Sequence, residues 1–222
     1  MKLPSWLTTL LGALVVITLP IFLVLSNTNL IMTRWYVEYE YGKPDFPPSE
    51  RFDAVARAKF AIETVRYTRG ELTHADLQNL GVYNERELSH MRDVQQVATS
   101  ALAADYALGI FIVVALFVLW RASLLTAAWS ALFNGAVLTL VIFGTIGLFA
   151  LVAFDAFFVL FHRIFFVGDS WLFFTTDSLI QFYPEPFWAD ASLGIAVFTL
   201  LEAFVLLAFA WWGRWRVIKR PI

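Results

Sequence analysis

Residues 122–154 read ASLLTAAWSALFNGAVLTLVIFGTIGLFALVAF, thirty-three positions without a charge. As a helix at ~1.5 Å per residue the run would be about 50 Å long, against a hydrocarbon core of about 30 Å. The stretch therefore predicts a membrane helix too long for its slab. The surplus, from roughly Gly147 onward, is expected to tilt, to kink near Gly144 and Gly147, or to lie along the interface. Directly after it comes Phe154-Asp155-Ala156-Phe157-Phe158-Val159-Leu160-Phe161-His162. Asp155 and His162 are seven residues apart, close to two helical turns, so they share a face if the helix continues. Ionisable groups at the rim of an apolar slab are costly to place, which makes this the first place to look for chemistry.

Three further apolar runs set the fold class. Residues 6–25 form one, and 106–120, extended backwards by 101–104 around Asp105, form another. The last is 191–201 with 203–212, flanking a lone Glu202. With 59% hydrophobic and 15% charged residues over 222 positions, this is no ordinary soluble composition. The pattern predicts an all-α membrane protein, a single membrane domain over 1–222. Its four transmembrane helices fall at about 6–26, 101–120, 123–148 and 191–212. A helical extracellular insertion is expected at 31–100, and an apolar extracellular or interfacial loop at 155–190. The first run is expected to be retained, because its core is long and Ser26-Asn27-Thr28 is a poor cleavage site.

Short basic segments give the orientation. Lys2, Arg121, Arg214, Arg216, Lys219 and Arg220 flank the spans on one side, which places both termini in the cytoplasm. The segment after the third span sets Arg163 against Asp155, Asp169, Asp177, Glu185 and Asp190, and belongs outside. The chain has no cysteine, which removes disulfides, thiol nucleophiles and thiolate metal sites. No metal, cofactor or nucleic-acid partner is expected.

Between the first two spans, Trp35, Tyr36, Tyr39 and Tyr41 resemble an interfacial aromatic belt. The turn-rich connector 42–48 follows. Ser49 is then expected to cap a helix running to about Arg69, with Gly70 ending it. Thr73-His74-Ala75-Asp76 has capping-box form, and Asn84-Glu85-Arg86-Glu87 repeats it. The second box opens a helix that runs without a breaker into the second span. The segment 171–180 is too apolar for a free loop and is expected to pack.

Only three histidines are present. His74 reads as a solvated helix start. His90 has Glu87 and Asp93 each three residues away, neighbours on a helix surface. A carboxylate there would fix its tautomer; an ordinary salt-bridged turn explains the spacing equally well. His162 with Asp155 repeats the pattern, the alternative being a histidine snorkelling to headgroups. Asp177 and Tyr183 either support a site or cap turns. Glu202 is an intramembrane acid, for which a neutral carboxyl paired with Asn134 or a backbone group of the third span is an equal reading.

Taken together, Leu88-Ser89-His90-Met91-Arg92-Asp93-Val94, Phe154-Asp155, Phe161-His162, Phe165-Phe166, Thr176-Asp177-Ser178-Leu179-Ile180 and Tyr183-Pro184 resemble one bacterial group in order and spacing. The chain is similar to the lipoprotein intramolecular transacylase (Lit) family along nearly its whole length. The resemblance implies movement of the sn-2 acyl chain of a diacylglyceryl lipoprotein onto the α-amine of its N-terminal cysteine, giving a lyso-form lipoprotein. It implies a plasma-membrane enzyme, expected to act as a monomer, whose partners are lipoprotein substrates and membrane lipid. The family's functional histidines match His90 and His162. Asp93, Asp155, Asp177 and Tyr183 would support or orient them, and Phe158, Phe161 and Phe165 would wall the acyl chain.

The chemistry suits imidazoles, because amine deprotonation and alkoxide protonation both fall near their ordinary pKa of ~6.5. Nucleophile and ester belong to one substrate, so no enzyme nucleophile is required. A covalent acyl-histidine stays open. The other readings are a metal-assisted lipid hydrolase, for which two distant histidines are a weak signature, and a transporter or accessory protein, which should carry more polar groups at the midplane.

Overall fold

The structure, a computed structural model, describes residues 3–218. Lys2, Lys219 and Arg220, used above for orientation, lie outside the described residues. The described chain is helical throughout its regular structure: α1 (Ser5–Ile31), α2 (Arg34–Tyr41), α3 (Ala54–Thr68), α4 (His74–Gln78), α5 (Glu85–Arg121), α6 (Leu125–Val152), α7 (Phe154–Phe165), α8 (Ser178–Phe182) and α9 (Glu185–Ile218). Four of these, α1, α5, α6 and α9, are long and apolar enough to cross a membrane. The expected spans 6–26, 101–120 and 191–212 lie within them, and 123–148 begins two residues before α6. The helices run further than the apolar runs alone required, α1 by one turn past Asn27 and α9 from Glu185 rather than Ala191.

The long run 122–154 does not kink at its glycines. Gly144 and Gly147 stay helical inside α6, and the break falls at Ala153 (φ −143°, ψ 59°). Water is absent in the slab to take up freed backbone groups, so the ladder persists until the chain can leave it. It leaves one residue before Phe154-Asp155, where the first charge arrives. At the other end of α6, Ser123 turns the chain back with φ 61°. Leu124 N–H bonds to Leu119 O at 2.9 Å and Ser123 N–H to Trp120 O at 3.0 Å, a Schellman stop with serine in the left-handed position.

The residues divide into two compact units, one drawn from Met1–Asn27, Ala103–Leu148 and Ile195–Ile222, the other from Thr28–Leu102 and Phe149–Gly194. In the first unit, helices meet through small residues, as expected where no hydrophobic effect drives association. A Cβ on Gly135 would come within 2.9 Å of Leu19, one on Gly109 within 2.9 Å of Phe22, and one on Gly213 within 2.4 Å of Trp129. Leu19, Leu23, Ile112 and Ala203 form one core cluster and Val15, Ala115 and Ala131 another. Glu202 finds a partner that the sequence reading did not choose. Its Oε2 accepts from Asn27 Nδ2 at 2.8 Å, not from Asn134; Asn27, almost fully buried, also donates to Thr199.

In the second unit α3 begins later than expected. Its cap is Asp53, whose carboxylate accepts from the amides of Val55 and Ala56. Ser49 instead accepts from the amides of Arg51 and Phe52 and donates to Gln181 Oε1 at 2.6 Å. The connector 42–50 is thus tied to α8, with Arg57 reaching both. Both capping boxes are present. The aromatic belt divides. Trp35 and Tyr39 stack at 5.8 Å and are exposed, whereas Tyr36 packs inward on Phe187 and Tyr41 donates to Phe182 O at 2.8 Å.

Candidate active site

The site is built from the first turns of α5, from α7, and from the segment between α7 and α8. Asn84 and Glu87 bond reciprocally, Asn84 N–H to Glu87 Oε2 at 2.9 Å and Glu87 N–H to Asn84 Oδ1 at 3.0 Å. The second Glu87 oxygen accepts from Leu179 N–H at 2.8 Å. Asn84 Nδ2 and Arg86 Nη2 each donate to the Asp177 carboxylate at 3.0 Å, which also accepts from Phe174 N–H at 2.8 Å. Ser178 Oγ donates to Val82 O. One turn of α5 therefore holds the apolar segment 171–180 in place. Arg86 completes the clasp by lying over the Phe173 and Phe174 rings at 5.3 and 5.2 Å, a cation–π contact.

That clasp brings aromatic rings to both histidines. His90, one turn beyond Glu87 and buried, lies 4.8 Å from Phe166 and 5.3 Å from Phe173, centroid to centroid. His162 sits on α7 with Phe158 at 4.1 Å, Trp171 at 4.8 Å and Phe166 at 5.6 Å. Phe166 ends α7 in an extended conformation, and Gly168 at φ 65° turns the chain so that Trp171 folds back. Trp171 Nε1–H closes that turn on Gly168 O at 3.1 Å. Both imidazoles pack against the Phe166 ring.

Their nitrogens differ in partners. His162 Nδ1 is 2.8 Å from the Phe158 carbonyl. A carbonyl only accepts, so Nδ1 carries the hydrogen and Nε2 presents its lone pair. His90 Nδ1 is buried and has no hydrogen-bond partner among the described residues. Unsatisfied buried acceptors are better tolerated than unsatisfied donors, so the hydrogen of His90 belongs on Nε2. One ring thus offers an acceptor and the other a donor. Burial holds His162 below the ordinary histidine pKa, while the Phe158 carbonyl, favouring the protonated ring, offsets part of that shift.

The supporting residues expected from spacing are placed differently. Asp155 and Asp93 are exposed, and the partner of His162 Nδ1 is the Phe158 carbonyl rather than the Asp155 carboxylate. The Glu87 oxygens accept from the backbone amides of Asn84 and Leu179, and among the described residues they make no hydrogen bond to His90. Asp177 holds the α5 turn and the 171–180 segment together. Tyr183 donates to Ala61 O at 2.6 Å, and burial pushes its phenol well above the usual value, so it is a packing residue rather than a proton donor. Of the expected acyl-chain phenylalanines, Phe158 lies against His162 with the rings tilted by 41°, while Phe161 and Phe165 pair at 4.8 Å and are more than two-fifths exposed. His74 shares a 3.2 Å hydrogen bond with the Tyr67 hydroxyl. Trp171 and Phe173 were visible only as apolar loop residues; their contact with the histidines depends on the turn at Gly168. Among the described residues no group of three or more His, Asp or Glu side chains is placed to hold a metal ion.

Residues 13–188 match the model of the family described as lipoprotein intramolecular transacylase Lit. The chain belongs to that family. By membership it is a membrane-integral, multi-pass acyltransferase, a lipoprotein intramolecular transacylase. An uncharacterised protein of Aquifex aeolicus (strain VF5) is 27% identical over 205 residues, covering 89% of this chain and 92% of its own. The in meso structure of Lit from Bacillus cereus shares the fold with a TM-score of 0.83 at 18% identity, covering 98% of this chain and all of that one. A further structure of that protein, with one histidine replaced by alanine, matches at a TM-score of 0.61 and 16% identity over 97% of both chains. Four long apolar helices in a Lit chain accord with the membrane reading.

Two predictions arise from this geometry. Glu87→Gln places an amide donor against one of two backbone N–H groups and is expected to destabilise the protein by about 1–3 kcal/mol, read as a lowered melting temperature in detergent. An unchanged melting temperature would mean that the clasp carries no stability. The second concerns pH. The folded His162 pKa lies below its unfolded value of ~6.5, so on lowering the pH through that range the unfolded chain takes up the proton first. Stability is therefore fully present above about pH 6.5 and declines as the pH falls towards the folded value. His162→Gln should lose less melting temperature than the wild type between pH 7.5 and 5.5; parallel losses would contradict the burial argument.

Proposed function

We propose that His90 and His162 together transfer the sn-2 acyl chain of a diacylglyceryl lipoprotein to the α-amine of its N-terminal cysteine, at the outer membrane–water interface. The observation that carries this reading is the pair of imidazoles against the Phe166 ring, His162 with Nδ1 on the Phe158 carbonyl and His90 with its Nδ1 buried and unbonded among the described residues, so that the inferred tautomers offer one acceptor and one donor. The neutral amine attacks the ester carbonyl, forming a C–N bond and a tetrahedral oxyanion. His90 Nε2–H donates to that oxyanion, where a fixed donor in an apolar pocket is most effective. His162 Nε2 takes the proton leaving the attacking nitrogen. The carbon–oxygen bond to glycerol then breaks, and His162 returns the proton to the departing alkoxide. The proton begins on nitrogen and ends on the glycerol hydroxyl, so no cofactor, water or enzyme nucleophile is consumed. Both reacting groups sit in one substrate, and positioning supplies much of the rate.

Orientation enters here too. The basic residues Arg121, Arg214 and Arg216 flanking the spans favour cytoplasmic termini, and the reading takes the histidines to face outward. The apolar, exposed face of α7, with Leu160, Phe161, Ile164 and Phe165, suits a helix lying in the interface, where Phe158, Phe161 and Phe165 would flank the incoming chain. Expression in cells whose lipoproteins are diacylglyceryl-modified tests the reading. The expected outcome is N-terminal lyso-form lipoprotein by mass spectrometry, and unchanged N-termini under good expression would refute it.

A further inference from the structure

A second polar cleft lies in the same unit as the histidines, lined by none of the residues discussed for acyl transfer. Thr33, Arg34, Ile62, Glu63, Val65, Arg66, Arg69 and Glu71 surround about 470 Å³ where α1 gives way to α2 beside α3. Arg69 forms its floor. Its Nη1 donates to Asn29 O, Asn29 Oδ1 and Met32 O, closing the carbonyl end of α1, while its Nε approaches Glu71. Arg66 is held by Glu63 at 2.9 Å and Glu71 at 3.4 Å through Nη1 and Nε, and among the described residues its Nη2 makes no hydrogen bond. Arg34 bonds through Nε to Glu38 at 2.6 Å, and among the described residues its two terminal nitrogens make no hydrogen bond. The cleft thus holds two oriented guanidiniums with free donors, braced by carboxylates.

Its position narrows the ligand. A 27-residue α1 is about 40 Å long at ~1.5 Å per residue, longer than the ~30 Å hydrocarbon core, so its last turn stands at headgroup depth. Trp35 and Tyr39, stacked and exposed beside Arg34, mark the same level. With Glu38 on Arg34, three arginines face three glutamates, so the cleft is close to neutral and its hold on a phosphodiester comes from the unused Nη donors rather than from net charge. Guanidinium forks bind phosphate oxygens in pairs.

We propose that this cleft seats the phosphodiester of a membrane glycerophospholipid, gripped by Arg34 and Arg66. This inference is independent of the acyl-transfer reading. The site fixes the depth of the unit in the interface through a lipid that is not the substrate.

Native mass spectrometry of the detergent-purified chain tests it, with phosphatidylglycerol, phosphatidylethanolamine, diacylglycerol and inorganic phosphate offered separately. The two phospholipids are expected to remain bound while diacylglycerol and inorganic phosphate do not. Arg34→Gln with Arg66→Gln should lower phospholipid occupancy about tenfold, from loss of charged hydrogen bonds. Arg34→Gln alone, at a side chain 71% exposed, should lower it with no change in melting temperature. Equal retention of diacylglycerol would assign binding to the tails, equal retention of inorganic phosphate would assign it to a free anion, and undiminished phospholipid binding by the variants would place the headgroup elsewhere. Each of these three results overturns the proposal.

Discussion

His162→Gln is expected to reduce transacylation by about 10²–10⁴-fold, the range for removing a positioned proton carrier, with the fold intact. The side chain is half-buried on the last turns of α7, and its one hydrogen bond goes to a carbonyl on its own helix, so little else depends on it. His90→Gln should cost a comparable factor through loss of the oxyanion donor, where single donors contribute about 10²–10³-fold. Because the two rings act on one tetrahedral intermediate, the double variant should fall little below the worse single one. Additive losses would mean that the rings serve separate steps. Near-normal turnover by either single variant, measured on a synthetic diacylglyceryl lipopeptide, would remove that ring from the chemistry.

The largest expected stability loss is at Arg57, far from the reaction in sequence and role. Its side chain is 5% exposed, and its guanidinium lies 4.9 Å from the Tyr41 ring and 4.8 Å from the Phe46 ring. Nε donates to Gln181 O at 2.6 Å and Nη1 to Pro47 O at 2.5 Å. Arg57→Ala leaves two carbonyls without donors, removes two cation–π contacts and opens a cavity. With charged hydrogen bonds at about 1.5–3 kcal/mol each, a total near 3–5 kcal/mol is expected, at the upper end for a single substitution. Arg57→Lys should recover only part of it, since one ammonium cannot reproduce the fork. The check is thermal unfolding in detergent. A melting temperature within a degree or two of wild type would contradict the account of the connector 42–50 as a strap fixed to α8.

Length and apolarity were enough to read four spans from the chain, because a spanning helix must satisfy its own backbone. The break in the run 122–154 was legible in outline and misplaced in detail. Glycines suggested Gly144 and Gly147, whereas the chain bends at Ala153, where it meets Asp155. Helix starts with a full capping box, Thr73 and Asn84, were readable, and the one without it was not; Ser49 carries the right chemistry four residues too early. His90 and His162 stood out by scarcity and context. What surrounds them did not: Phe166 and Phe173 reach His90 from far along the chain, and Trp171 reaches His162 only through the turn at Gly168. Glu87 and Asp177 each appeared as a carboxylate near a histidine or in a loop, yet both are spent on backbone amides and neighbouring polar side chains across the α5–α8 clasp. Asp155 shows the limit of spacing arguments most plainly. Seven residues place it on the face of His162, but a helical carbonyl four residues back reaches the ring nitrogen first.

The most direct test of the central claim uses the purified chain and a synthetic lipopeptide whose N-terminal cysteine bears diacylglycerol with an isotopically labelled sn-2 chain. Fragmentation by mass spectrometry then locates the label after reaction. The account predicts a labelled amide on the cysteine nitrogen, a free sn-2 hydroxyl, no release of labelled fatty acid, and loss of the reaction in His162→Gln. Labelled free fatty acid with an unmodified amine would identify a hydrolase and contradict it.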